Sequence, residues 1–276
     1  MVFGLGKRAA PGPPADPNDP VHVRVVDVSK RYGEHEVLSS VTFDILRGLN
    51  NVVIGASGSG KTVFLRQLIR LEKPDGGKIL VDGEDIVPLD VVSLVRVRKK
   101  FGMVFQGAAL FDSMNVFDNT AFPLREHTKL GAKAIREKVM DRLTTLGVDH
   151  AAKKMPSELS GGMRKRVAVA RALVLEPAIL IYDEPTTGLD PITSRTVDEL
   201  IEDTRARFGV TSVVISHDMA SVFHIGHRIN LLHKGRIVAA GTPEEIAANT
   251  TPVVTEFLDA SGVSPAEALR FRALAS

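Results

Sequence analysis

The 276-residue chain contains no cysteine, so disulfides, thiolate catalysis and cysteine-ligated zinc are all excluded. That absence fits a reducing compartment. No uncharged apolar run of roughly 18 residues occurs, so no segment is expected to span a bilayer. The opening residues lack the apolar centre of a signal peptide, because Lys7 and Arg8 interrupt them. Neither sign of charge dominates: 35 Lys and Arg against 33 Asp and Glu leave a net +2, too weak a surplus for a nucleic-acid partner. His224 and His227 have no third ligand beside them and read as ordinary packing or surface histidines. No internal repeat is visible. What is present is an ordinary globular balance, 44% apolar and 25% charged, which excludes a disordered or fibrous chain. At about 150 residues per domain, one or two domains are expected.

Proline is concentrated at the start. Pro11, Pro13, Pro14, Pro17 and Pro20 lie within residues 1–20, which read as a disordered or extended tail. Order is expected from Val21, where Val21, Val23 and Val25 alternate with polar residues as in a half-buried strand. A turn at 30–33 and a second alternating strand at 41–45 suggest an antiparallel pair. The pattern then changes to short apolar strands alternating with helices. Strands are expected at 51–54, 79–81, 101–105, 178–182 and 211–215, and helices at 61–71, 132–146, 164–175 and 192–207. Such alternation predicts a parallel sheet covered on both faces. Residues 113–175 carry no strand pattern and read as an inserted helical subdomain. The fold class is therefore α/β, a nucleotide-binding core with an antiparallel β subdomain and an α-helical insert.

Three stretches carry chemistry. Gly55, Ala56, Ser57, Gly58, Ser59, Gly60, Lys61 and Thr62 match the phosphate-loop spacing G-x-x-x-x-G-K-[ST]. Small residues let backbone N–H groups approach phosphate oxygens, and the following helix adds its positive end. Lys61 is expected on the β- and γ-phosphates of ATP, and the Thr62 hydroxyl on Mg²⁺. The strand 179–182 ends in Asp183 and Glu184. Asp183 is placed to hold Mg²⁺, and Glu184 to polarise a water against the γ-phosphate. Ser160, Gly161 and Gly162 open a long helix and form a second small-residue turn. That turn is either a second anion site or a simple Ser160 helix cap. As an anion site, its economical use is a two-fold dimer in which each chain's turn covers the ATP held by the other.

Together these motifs resemble the ATP-binding subunits of ABC transporters, over residues 21–258. The resemblance implies an ABC-type P-loop fold and ATP hydrolysis. It implies that Tyr32 stacks on adenine, where simple turn packing is the alternative. Gln106 would touch Mg²⁺ and the attacking water, and Asp190 would communicate between two ATP sites. His217 would grip the γ-phosphate. The family's signature turn usually ends in Gln, where this chain has Met163. That departure, with the runs 112–119 and 123–128, resembles a narrower group, the ATPases of bacterial Mce-type lipid transporters, including the maintenance-of-lipid-asymmetry system.

The implied partners are a second copy of the chain, an integral membrane permease, an MCE-domain substrate-binding protein and a small accessory regulatory protein. The implied location is the cytoplasmic face of the inner membrane. Gly107–Thr128 carries Leu110, Phe111, Met114, Val116 and Phe117, a candidate permease groove. A transporter for another substrate and a soluble ABC-type ATPase are the alternatives. A GTPase is disfavoured, since no Asn-Lys-x-Asp base reader exists. The basic clusters Arg96, Arg98, Lys99, Lys100 and Arg164, Lys165, Arg166 read as solvated helix faces. Residues 259–276 are expected to form a C-terminal tail with a short helical pattern at 266–275.

Overall fold

In a computed structural model, residues 19–262 are described, together with 264, 267 and 270. The expected N-terminal tail and the helical pattern at 266–275 therefore lie almost wholly outside the described residues. Asp19 and Pro20 are tied down, their carbonyls accepting from Arg47.

The chain opens with two long strands, β1 (Val21–Tyr32) and β2 (His35–Leu46), paired antiparallel. The turn lies at Gly33 and Glu34, later than the sequence suggests, because Lys30 and Arg31 continue the pairing against Leu38 and Glu36. Next come β3 (Asn50–Ile54), α1 (Lys61–Leu68), β4 (Gly76–Val81), β5 (Glu84–Asp85), α2 (Val91–Arg98) and β6 (Phe101–Val104). α1 stops at Leu68 where the periodicity runs to Leu71, because Arg70 turns left-handed at φ 54°. Sequence periodicity gives no warning of α2. Asp90 caps it, accepting from Ser93 N–H. A strand-free stretch holds α3 (Val116–His127), α4 (Ala132–Thr145) and α5 (Gly161–Leu173), with short 3₁₀ turns at Asp149–Ala151 and Pro156–Glu158. The chain then returns through β7 (Ile179–Asp183), α6 (Pro191–Phe208), β8 (Thr211–Ile215), α7 (Met219–Ile225), β9 (Arg228–His233), β10 (Arg236–Gly241), α8 (Pro243–Ala247) and α9 (Pro252–Ala260).

Two sheets result. The antiparallel one has order β2-β1-β4-β5, and the larger has order β10-β9-β3-β8-β7-β6. In the larger sheet β9, β3, β8, β7 and β6 run parallel, while β10 joins its edge antiparallel. All five residues of β3 and of β8 are buried, as strands covered on both faces require. Successive side chains point to opposite faces, so Val52 and Ile54 enter the core shared with α3–α7 while Val53 enters the one shared with α1, α2 and the antiparallel sheet. No helix among the described residues is long and apolar enough to cross a membrane.

The basic clusters are solvated only in part: Arg96, Lys99 and Arg164 are exposed, but the end groups are bonded to the protein. Arg98 donates to the carbonyls of Ile69 and Arg70, closing the end of α1, and Arg96 pairs with Glu84 at 2.5 Å. Lys100 and Arg47 both grip Asp82, at 2.6 and 2.8 Å. Arg164 and Arg166 donate to the carbonyls of Leu159 and Leu146, and Lys165 is buried. His227 packs as expected, Nδ1 accepting from Asn50 N–H at 3.3 Å.

His22 joins the Asp82 cluster from β1. It is 2% exposed, with Nε2 3.5 Å from Asp82 and Nδ1 hydrogen-bonded to the Thr211 hydroxyl at 2.7 Å. Burial, helped by the Arg47 charge, lowers its pKa to about 4 from 6.5. The folded state therefore binds fewer protons at this ring than the unfolded chain between those values. Stability from His22 is complete above about pH 6.5 and is lost as pH falls towards 4. By pH 5 the loss should reach about 2 kcal/mol, read by urea unfolding against pH. A His22→Gln variant should lack that part of the slope, whatever its stability at pH 7.

Candidate functional site

The parallel register brings the chemistry to one edge. Val53 pairs with Ile215, Ile215 with Asp183, and Tyr182 with Val104. The residues that follow each strand therefore emerge side by side: the phosphate loop after β3, His217 after β8, Glu184 after β7 and Gln106 after β6. Binding at the carboxyl ends of parallel strands is the general behaviour of such sheets.

The loop 55–60 wraps the start of α1. Gly60 has φ 106°, and a Cβ there would sit 2.9 Å from Leu38 and 3.0 Å from the Val37 carbonyl. At Gly55 a Cβ would meet the Leu232 carbonyl at 2.2 Å, so both positions require glycine. α1 has no side-chain cap, which leaves its first N–H groups for an anion. The Ser59 hydroxyl is buried without a hydrogen-bond partner inside this cradle. Ala56, Ser57 and Gly58 are exposed. Lys61 is buried, with Nζ donating to the carbonyls of Gly55 at 2.7 Å and Ala56 at 3.2 Å. Burial lowers its pKa, while Glu184 and Asp183 act the other way.

Asp183 is pushed upward by its own burial and by Glu184, with Lys61 opposing. A carboxylate so placed gains from a cation, and the Thr62 hydroxyl at the start of α1 is exposed. These are hard oxygen donors of the kind a small divalent ion takes. Glu184 sits at φ 49°, a strained backbone for a non-glycine residue at a functional edge. Its Oε2 accepts from the Thr187 hydroxyl at 3.0 Å and contacts His217 Nδ1 at 2.7 Å. A carboxylate only accepts, so Nδ1 carries the proton and a neutral His217 keeps its Nε2 lone pair. The Gln106 side chain is exposed, and its backbone carbonyl accepts from Lys165.

The remaining candidates lie elsewhere. Tyr32 ends β1 and is 44% exposed as a residue, its hydroxyl donating to Glu72 at 2.7 Å and Lys30 Nζ 5.5 Å from the ring centre. One aromatic surface is thus open for stacking. Ser160 caps α5, its hydroxyl accepting from Met163 N–H at 3.3 Å, while Ser160 and Gly161 are exposed and Gly162 is half-buried. Asp190 caps α6, accepting from the N–H groups of Ile192 and Thr193 and from the Thr193 hydroxyl. Ile192 beside it is 81% exposed. The phosphate loop follows β3, and α5 packs over β6, three strand positions away. At about 4.8 Å per strand that puts β6, with α5 over it, roughly 14 Å across the sheet from β3.

Between α2, β6, α3 and α5 lies a groove of about 510 Å³, walled by Val95, Met103, Phe105, Phe111, Phe122 and Leu175, with Arg98, Lys99 and Arg171 also lining it. Of the expected apolar residues only Phe111 lines it. Val116 is in the core, and Leu110 and Phe117 pack against that core. Two residues near the site were not singled out from sequence: Thr187 orients Glu184, and Arg171 bonds the loop after Gln106. Asn119, which lies in the run 112–119, holds Phe111 through both backbone groups. Neither Thr187 nor Arg171 has a local pattern that separates it from an ordinary helix or loop residue.

Comparison with known proteins agrees with this geometry. The family profile described as ABC transporter matches residues 38–187. MlaF of Escherichia coli K12, an intermembrane phospholipid transport system ATP-binding protein, is 44% identical over 239 residues, covering 87% of this chain and 89% of MlaF. Mkl of Mycobacterium leprae, called a probable ribonucleotide transport ATP-binding protein, is 41% identical over 245 residues, covering 89% of this chain and 71% of Mkl. Among solved structures, cbiO1 of Clostridium perfringens superposes with TM-score 0.78 at 29% identity, covering 87% of this chain and 95% of that one. The dimeric cassette MJ0796, also solved with ADP and phosphate, superposes with TM-score 0.70 at 30% identity, covering 80% of this chain and 98% of that one. With the profile spanning over half its length, the chain belongs to the ABC transporter family, as one of that family's ATP-hydrolysing cassettes.

Proposed function

We propose that the chain drives a membrane lipid transporter of the Mce/Mla type, hydrolysing ATP as a two-fold dimer. One observation carries the catalytic reading: Lys61, Asp183, Glu184 and His217 gather at the carboxyl edge of one sheet, with Glu184 bonded to His217 at 2.7 Å. ATP would lie with its phosphates on the loop 55–62. Mg²⁺ held by Thr62, Asp183 and Gln106 would neutralise charge on the phosphates. Glu184 takes a proton from the attacking water, and Thr187 keeps its carboxylate in place. His217 offers Nε2 towards the nucleotide. The exposed turn Ser160–Gly162 of a second copy covers the nucleotide, and Asp190 with Ile192 lies along the dimer face.

The lipid assignment is supported by the 44% identity to MlaF over 89% of that protein and by Met163 in the signature turn. Mkl, named for ribonucleotide transport, favours a second reading in which the cargo is a nucleotide. The permease docks in the groove at Phe111. An MCE-domain protein and a small regulatory protein complete the assembly at the cytoplasmic face of the inner membrane. The test is reconstitution with the permease in proteoliposomes. ATP-dependent transfer of labelled phospholipid supports the reading, and ribonucleotide transport without lipid transfer replaces it with the second. Phe111→Asp places a charge between Phe122 and Arg171 on an exposed wall. It should leave ATP affinity within about 2-fold and lower permease co-purification and transport at least about 10-fold. Parental co-purification and transport would move the docking site elsewhere.

A further inference from the structure

Lys165 and Arg171 stand on one helix, α5, and both reach across to the segment that follows β6. Lys165 is 8% exposed and donates its ammonium to the Gln106 carbonyl. Arg171 forks onto the next carbonyls, Nη2 to Ala108 at 2.9 Å and Nη1 to Ala109 at 2.7 Å. Those two alanines are consecutive left-handed residues, φ 63° and 47°. Alanine resists that region, so a pair of them persists only where neighbours impose it. Arg171 also lies 5.8 Å from the centre of the Phe111 ring, which packs on Phe122 at 4.9 Å.

Burial lowers the pKa of both cations. A buried Lys165 and a half-buried Arg171 held mainly by neutral carbonyls gain little stability from those bonds once the cost of leaving water is counted. Their placement is better explained by what they hold. Three of the four carbonyls from Gln106 to Ala109 are bonded to the helix whose first turn is Ser160–Gly162.

We propose that Lys165 and Arg171 are positioning residues that lock the Gln106–Ala109 segment to α5, so that Gln106, the groove wall at Phe111 and the signature turn move as one body. This rests on the ATPase reading given above, in which Gln106 faces the reacting phosphate. When the signature turn closes on the nucleotide of a second copy, α5 carries Gln106 with it. Without the lock, nucleotide still binds at Lys61, but the loop reaches its working position less often.

The test uses the full chain with Arg171→Gln, Lys165→Met and the double variant Arg171→Gln/Ala109→Gly, with Gln106→Ala as the reference for the glutamine itself. Steady-state kcat and KM for ATP are read beside amide hydrogen exchange of a peptide spanning 105–112. Each single lock variant should lose at least about 10-fold in kcat with KM within about 2-fold. Exchange across 105–112 should rise at least about 10-fold while β7 stays unchanged. Glycine adopts the left-handed region freely, so Ala109→Gly should restore Arg171→Gln to within about 3-fold of the parent kcat. Parental kcat in both lock variants overturns the proposal, as does a loss of kcat with unchanged exchange. If Arg171→Gln does not fold, Lys165→Met decides on the same readouts. Parental kcat in Gln106→Ala would instead remove that glutamine's assigned role, while the exchange data still report whether the lock exists.

Discussion

Glu184→Gln should bind ATP and hydrolyse it about 10²–10⁴-fold more slowly than the parent, the usual contribution of a positioned general base. The geometry says why the effect is chemical and not structural. Glutamine matches glutamate in volume. It keeps an oxygen to accept from the Thr187 hydroxyl or the His217 Nδ1–H, bonds now made at 3.0 and 2.7 Å by one carboxylate oxygen. The left-handed backbone at φ 49° is no harder for glutamine than for glutamate. What disappears is the basic lone pair that, in the proposed function, receives the proton from water. The loop 55–62, Lys61 and the other groups proposed to hold the nucleotide are all kept, so nucleotide affinity should stay within about 3-fold. With hydrolysis blocked, the ATP-bound dimer should accumulate. Single-turnover kinetics and gel filtration with saturating Mg²⁺ and ATP read the two effects separately. A parental rate would remove Glu184 as the base. A slow variant that stays monomeric with ATP would remove the shared site.

How much of this was legible before folding differs by element. β8 runs Thr211–Ile215, and β3 and β7 begin or end within one residue of expectation, because buried parallel strands are short uninterrupted apolar runs. The phosphate loop is equally local, since its spacing is dictated by one anion. β1 is longer than its alternation suggests because Lys30 and Arg31 pair with a partner that only the folded hairpin supplies. The basic clusters misled for a related reason. A long cation reports its helix position in sequence, but not where its end group lands. Lys165 reads as surface, yet it ends on the Gln106 carbonyl, 59 residues away. The placing of Gln106 beside Asp183 and Glu184 comes from the pairing of β6 with β7, whose strands are separated in sequence by the whole helical block α3–α5.

Lys61→Ala should weaken ATP binding by about 10- to 150-fold, the equivalent of a charged hydrogen bond worth about 1.5–3 kcal/mol. In the structure Nζ rests on the carbonyls of Gly55 and Ala56, at 2.7 and 3.2 Å. The lysine thus holds the loop in shape, and under the proposed function it also meets the β- and γ-phosphates. Its pKa is lowered by burial, with Glu184 and Asp183 partly restoring the charged form. A phosphate therefore meets an ammonium already drawn out of bulk water, which strengthens the contact. Truncation leaves the buried Gly55 carbonyl without this donor, while the Ala56 carbonyl keeps the Ser59 N–H, so the chain should also lose about 1 kcal/mol of stability without ligand. The two effects separate by ligand. Affinity for ATP should fall far more than affinity for adenosine, which has no phosphate to lose and for which Tyr32 is the proposed contact. Calorimetric titration with ATP, ADP and adenosine, beside urea unfolding without ligand, resolves them. An unchanged ATP affinity would remove Lys61 from the phosphate site. An equal loss for all three ligands would mean that the loop had collapsed, and that the lysine acts first on the protein's own backbone.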